Sequence, residues 1–270
     1  MVLYLFQGVL VGVVSVGRVI AVANQKGGVG KTTTTVNLAA SLAAAERRVL
    51  LVDFDPQSNA TSGLGLEKNG RGIYEAIAGD EELKDLIRDT ELAFLKVAPS
   101  SRELTGAEVE LIDYIGREFR LKECLRPLID MYDYILIDCP PSLSILTVNA
   151  LVAADSVLIP LQCEYYAMEG ISEIMKTIGI IKARLNSGLE VEGVLLTMFD
   201  SRNRLAHQVE QEIRAHFGPK AFKTMIPRNV RLSESPSFGK PVILYDVQST
   251  GAISYMELTK EIVGAQNGRV

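Results

Sequence analysis

Apolar runs of about five residues alternate with longer stretches of mixed polarity along most of this chain. Arg18–Asn24, Val49–Asp53, Leu92–Ala98, Tyr134–Asp138, Ser156–Pro160, Val191–Met198 and the short Ala221–Ile226 read as strands. Several are continuously apolar, as strands covered on both faces are. Between them lie helical patterns at Lys31–Ala45, Ile73–Ala78, Glu81–Arg88, Gly106–Asp130, Ser144–Ala153, Met168–Leu185, Leu205–Phe217 and Ala252–Val263. The glycine-rich stretch 63–72 reads as a loop, and Asn186-Ser-Gly188 and Gly218 punctuate two of the helices. Repeated strand–helix alternation predicts an α/β fold, with a mostly parallel sheet and helices on both faces. Ligands of such folds sit beyond the carboxyl ends of the strands.

Three strand ends carry chemistry. The first strand runs into Lys26-Gly27-Gly28-Val29-Gly30-Lys31-Thr32-Thr33, and a helix follows at once. Strand, glycine loop and helix make a phosphate-binding loop, or P-loop. Glycines let successive N–H groups turn around an anion, and the helix adds its positive end. Lys31 supplies a mobile charge, and Thr32 a hard oxygen for Mg²⁺. The loop departs from the general pattern, since Gln25 replaces the first glycine and a second lysine, Lys26, follows it. The second strand end is Asp53-Phe54-Asp55-Pro56-Gln57. Asp55 is the candidate to orient an attacking water, and the deeper Asp53 the candidate to support a Mg²⁺ shell. The third is Asp138, which ends an apolar strand as a Walker B acid does and would hold Mg²⁺.

Composition narrows this. A chain of 270 residues with 47% hydrophobic and 23% charged content has ample core for one α/β domain. We expect that domain over 18–270, with 1–17, uncharged up to Arg18, as an apolar extension outside it. Glycines and polar residues interrupt the extension, and no basic segment precedes it, which argues against a membrane span. Cys124, Cys139 and Cys163 are odd in number and widely spaced, so neither a disulfide framework nor a zinc site is expected. A reducing cytoplasm fits them. His207 and His216 fall on a helix expected to be exposed, and Met168, Met175 and the Tyr165-Tyr166 pair read as core or dimer packing.

Net charge is −5, so contact with nucleic acid requires a local patch. Residues 200–240 hold eight basic against four acidic side chains, whereas 80–123 hold seven against twelve. Arg202, Arg231 and Lys240 are the candidate DNA contacts, and Arg228 falls nearer the nucleotide loop. Backbone contacts of this kind carry no sequence preference and weaken with salt.

Four segments together resemble the ParA/Soj chromosome- and plasmid-partition ATPases, within the wider deviant Walker A class that also holds MinD. They are Asn24–Thr33, Val52–Gln57, Asp138–Ser142 and Ile226-Pro-Arg-Asn-Val-Arg-Leu-Ser-Glu-Ser-Pro-Ser237. The last separates this branch from MinD-like membrane ATPases and from P-loop biosynthetic ligases such as dethiobiotin synthetase. The tail after Leu258 is a poor amphipathic anchor, and the cysteines do not match the nitrogenase iron-protein branch. The resemblance implies a homodimer closed over ATP and Mg²⁺, with Lys26 reaching the partner's nucleotide. It implies phosphate binding by Gly27, Gly28, Val29, Gly30, Lys31, Thr32 and Thr33, and adenine contacts near Met198, Pro227 and Asn229. It further implies slow intrinsic hydrolysis, stimulation by a ParB-like partner, sequence-independent binding to double-stranded DNA, and a cytoplasmic, nucleoid-associated location.

Overall fold

The computed structural model describes residues 17–68, 70–164 and 167–267. The expected extension, apart from Gly17, and the Tyr165-Tyr166 pair lie outside them. Seven strands form one sheet: β1 (Arg18–Val22), β2 (Val49–Asp53), β3 (Arg88–Asp89), β4 (Leu95–Ala98), β5 (Tyr134–Asp138), β6 (Ser156–Gln162) and β7 (Glu190–Thr197), in the order β3-β4-β2-β5-β1-β6-β7. All pairings are parallel except β3 with β4 at one edge. The helices are α1 (Lys31–Ala44), α2 (Asn59–Gly63), α3 (Ile73–Ala78), α4 (Leu83–Leu86), α5 (Leu104–Glu110), α6 (Arg120–Leu125), α7 (Ile145–Ala153), α8 (Ala167–Arg184), α9 (Arg204–Phe217), α10 (Val230–Glu234), α11 (Val242–Tyr245) and α12 (Thr250–Asn267). The α/β class read from the sequence is the class found.

The sheet divides two cores by side-chain alternation. Val19 and Ala21 of β1, with Ala23 just after it, join the core beneath α3–α9. Ile20 and Val22 join the opposite core, with Leu38, Leu42, Tyr255 and Leu258 of α1 and α12. The central strands are buried on both sides, which explains their unbroken apolar runs.

Three expected elements differ. Ala221–Ile226 forms no strand: Ala221 makes an isolated bridge to Val194, and the next bridge, Phe199 with Pro227, falls just past the segment. The helix expected over Glu81–Arg88 shrinks to Leu83–Leu86, because Arg88-Asp89 pairs antiparallel with β4. The long helix expected over Gly106–Asp130 breaks into α5, α6 and 3₁₀ turns. Gly116 sits between them at φ 75°, a left-handed conformation that ends a helix, and Pro127 opens the last turn.

Strand order places the chemistry. β5 lies between β1 and β2, so Asp138 pairs in register with both Val22 and Asp53. Two carboxylates 85 positions apart in sequence thus share one edge of the sheet, beside the loop that leaves β1.

Candidate functional site

Backbone angles and hydrogen bonds define the loop from Asn24 to Gly30. Gly28 and Gly30 have φ of 75° and 86°, where a side chain is strained. Gly30 caps α1, with its carbonyl accepting from Thr34 N at 2.8 Å. Thr197, at the end of β7, donates from Oγ1 to the Val29 carbonyl at 2.9 Å. Val29 itself is buried in the fold, so only its backbone is available to a ligand.

Two cavities meet above this loop. One, of about 350 Å³, is lined by Gly27, Gly28, Gly30, Lys31, Thr32, Thr33 and Asp55, among others. The second, of about 310 Å³, is lined by Met198, Pro227, Arg228, Asn229 and Tyr255. Gly30, Thr33 and Met198 border both. The expected phosphate and adenine residues therefore enclose adjoining spaces. Met198 adopts φ 51°, a left-handed conformation uncommon for a non-glycine residue and held by its surroundings. Asn229 is engaged: Oδ1 caps α10 by accepting from Arg231 N, and Nδ2 donates to Thr250 Oγ1 at 2.7 Å.

Lys31 is buried, and its ammonium donates to the Lys26 carbonyl at 3.2 Å. Burial lowers its pKa, while Asp138, Cys139 and Asp55 oppose that shift. Asp138 is fully buried. Its Oδ1 accepts from Thr35 Oγ1 at 2.9 Å, while Oδ2 is buried without a hydrogen-bond partner. Burial pushes its carboxyl upward, the charge of Asp53 adds to this, and the Thr32 and Thr35 hydroxyls oppose it. A buried carboxylate oxygen whose lone pairs accept no hydrogen bond, next to a threonine hydroxyl, fits a hard divalent cation.

Asp53 is differently employed. Its Oδ2 accepts from Thr61 N at 2.7 Å and Thr61 Oγ1 at 2.6 Å, and its Oδ1 from Asp55 N at 3.3 Å. Those bonds organise the turn after β2. Thr61 Oγ1 also accepts from Ser100 N at 3.0 Å, and Ser100 Oγ donates to the Asp55 carbonyl at 2.8 Å. Asp55, itself buried, accepts Gln57 N on Oδ1 at 2.9 Å. Thr61, Ser100 and Thr35 were not singled out from sequence. Nothing local marks them, since each acts across a gap set by strand order.

Lys26 is not in the phosphate cavity. Its ammonium lies 2.6 Å from Oε2 of Glu164, in the connection between β6 and α8. Of the three candidate DNA residues, Arg202 and Arg231 are exposed and Lys240 is half-buried, and all three are ion-paired. Arg202 is bound to Asp200 at 3.0 Å, Arg231 to Glu234 at 2.9 Å and Asp246 at 3.2 Å, and Lys240 to Glu91 at 3.5 Å. His207 and His216 are exposed on α9, as expected. Among the described residues no helix is long and apolar enough to cross a membrane.

Residues 17–191 match the AAA domain family AAA_31. The chain is 59% identical over 254 residues to the chromosome partitioning protein ParA of Myxococcus xanthus, covering 93% of this chain and 90% of that protein. It is 55% identical over 254 residues to the sporulation initiation inhibitor protein Soj of Bacillus subtilis, covering 93% of this chain and all of that one. Among solved structures it is similar to a cobyrinic acid a,c-diamide synthase of Mycobacterium smegmatis with bound ADP and magnesium, at 35% identity and TM-score 0.83, over 94% of this chain and 97% of that one. That name describes a biosynthetic enzyme, but its identity to this chain is well below that of the partition proteins. With the P-loop, the paired acidic strand ends and these relatives together, the chain belongs to the ParA/Soj family of chromosome-partitioning ATPases.

Proposed function

We propose that the protein is a nucleotide-switched partition ATPase that dimerises over ATP, binds DNA without sequence preference as the dimer, and lets go after hydrolysis stimulated by a ParB-like partner. The observation that carries this reading is the buried, unpartnered Oδ2 of Asp138 at the strand end beside the P-loop. It is what a triphosphate–magnesium site needs, and the M. smegmatis structure holds ADP and magnesium on a similar chain.

In this reading the triphosphate lies along Gly27–Thr33, with N–H groups and Lys31 meeting its charge. The purine occupies the adjoining cavity beside Met198 and Pro227. Asn229 shapes that wall through its bonds to Arg231 and Thr250 rather than by reading the base. Thr32 and Asp138 would hold Mg²⁺, which supplies charge neutralisation at the phosphates. Asp53 supports the site indirectly, through the turn that carries Asp55. Asp55 orients the attacking water, and its carbonyl and side chain are held by Ser100 and Gln57. Lys26 of each protomer meets the partner's triphosphate. Preorganised positive charge then does most of the catalytic work. Turnover is slow until the partner protein acts.

Arg202, Arg231 and Lys240, in a segment with eight basic against four acidic residues over 200–240, supply the DNA face. These three exchange their ion pairs with Asp200, Glu234, Asp246 and Glu91 for phosphate contacts, and the counterions that the DNA releases make the affinity salt-dependent. The protein then works in the cytoplasm, on the nucleoid.

Filter retention of duplex DNA with ATP, ADP and no nucleotide tests the reading. Retention with ATP alone, falling between 50 and 200 mM salt, is the expected result. Equal retention in all three states, or ATP-dependent sedimentation with liposomes in place of DNA retention, overturns it.

A further inference from the structure

The segment that carries Lys26 is fastened to β6 and α8 by three side-chain bonds. Asn24 Nδ2 donates to the Pro160 carbonyl at 2.8 Å, Gln25 Nε2 to Thr177 Oγ1 at 2.9 Å, and Lys26 Nζ to Glu164 Oε2 at 2.6 Å. The first two hold the segment to its own protomer. The third engages the one side chain that the proposed dimer needs elsewhere. Glu164 is well placed for this, because its own backbone is fixed: its N–H donates to the Gln162 carbonyl, and its carbonyl accepts from Ala167 N. The Lys26 and Glu164 side chains are 39% and 45% exposed, so the pair can open without unfolding anything.

We propose that Glu164 is a positioning residue that parks the Lys26 ammonium in cis while no partner's triphosphate is present. This rests on the reading of Lys26 as a ligand for the partner's nucleotide. An ammonium has one charge to give, and Glu164 competes for it with the incoming triphosphate. A triphosphate with several negative charges displaces one carboxylate, whereas a diphosphate competes less well. The pair therefore sets a threshold on association and helps to make that association selective for ATP.

The size of the effect follows from the geometry. A half-exposed ion pair holds its groups together by a factor of about 1.4 to 5. Two such pairs must open for each dimer, so the factor is squared, and removing both carboxylates tightens the dimer by about 2- to 30-fold. The gain is electrostatic and shrinks as the Debye length falls from about 10 Å at 0.1 M salt to about 3 Å at 1 M.

The test is the dimer dissociation constant of the full chain by sedimentation equilibrium, with Mg²⁺ and a non-hydrolysable ATP analogue. The arms are wild type, Glu164→Gln, Glu164→Asp, Lys26→Ala and the Lys26→Ala/Glu164→Gln double variant. Glu164→Gln is expected to dimerise more tightly at 0.1 M salt, to lose the gain at 1 M, and to show no gain on the Lys26→Ala background. Glu164→Asp, which keeps the charge, stays within about twofold of wild type. Unchanged or weaker dimerisation of Glu164→Gln overturns the proposal. If Lys26→Ala dimerises as well as wild type, the trans role of Lys26 fails as well; if Lys26→Ala blocks dimers while Glu164→Gln is neutral, only the parking role fails. Acylation of Lys26 in the nucleotide-free monomer, read by mass spectrometry, is independent of dimer formation. It is expected to be faster in Glu164→Gln, and an unchanged rate overturns the proposal.

Discussion

Thr61→Val separates the support of Asp55 from the binding of phosphate. Thr61 is fully buried, and its hydroxyl both donates to Asp53 Oδ2 at 2.6 Å and accepts Ser100 N at 3.0 Å. Valine has nearly the same shape, so no cavity opens and the loss is confined to hydrogen bonds. A bond to a carboxylate contributes about 1.5–3 kcal/mol, and an orphaned buried N–H costs about 1–3 kcal/mol. The two share one hydroxyl and relax together, so the sum falls below the extremes, at about 3 kcal/mol. At roughly 2–4 °C per kcal/mol for a domain somewhat smaller than this one, the melting temperature drops by about 6–12 °C. Ser100 also holds the Asp55 carbonyl at 2.8 Å, so hydrolysis falls further than ATP binding does. Thr61→Ser keeps the hydroxyl and is expected to retain hydrolysis. Thermal unfolding by circular dichroism, ATP binding by calorimetry and phosphate release read the three quantities. If Thr61→Val melts within about 2 °C of wild type and hydrolyses ATP normally, the chain Asp53–Thr61–Ser100–Asp55 does not set the position of Asp55.

Asp55→Ala is expected to bind ATP but hydrolyse it at least tenfold more slowly, which a single-turnover phosphate-release assay measures. Gly30→Ala places a Cβ at φ 86° at the cap of α1, which costs about 1–2 kcal/mol; ATP affinity by calorimetry is expected to fall at least tenfold with the loop. Hydrogen bonds from Arg202 hold the pKa of the partly exposed Asp200 carboxyl down to about 2. Its folded pKa is depressed, so the contact is present above the ordinary carboxylate range and lost as pH falls through that value. In Arg202→Ala, NMR titration is expected to return Asp200 towards the ordinary range, and DNA retention to weaken with ATP hydrolysis preserved.

Much of this was legible in the chain because local rules agreed. Gly28 and Gly30 had to be glycine at their backbone angles, the flanking strand and helix were patterned for their periods, and Asp53, Asp55 and Asp138 marked strand ends. Strand order was not legible. Nothing in a linear pattern says that β5 inserts between β1 and β2, and that insertion is what sets Asp138 beside Asp53. The same holds for Thr61 with Ser100 and for Lys26 with Glu164, pairs joined only by topology. Over 81–88 and 106–130, charges at helical spacing imitate two unbroken helices on either side of the strand that does form. The turn at Gly116 and the pairing of Arg88-Asp89 with β4 override that pattern.

The central claim is that occupancy by ATP is converted into association through Lys26. Sedimentation velocity of Asp55→Ala, saturated with ATP and Mg²⁺, tests it most directly, with Lys26→Ala/Asp55→Ala run beside it. The account predicts a dimer for the first and a monomer for the second. Monomers in both, or dimers in both, contradict it.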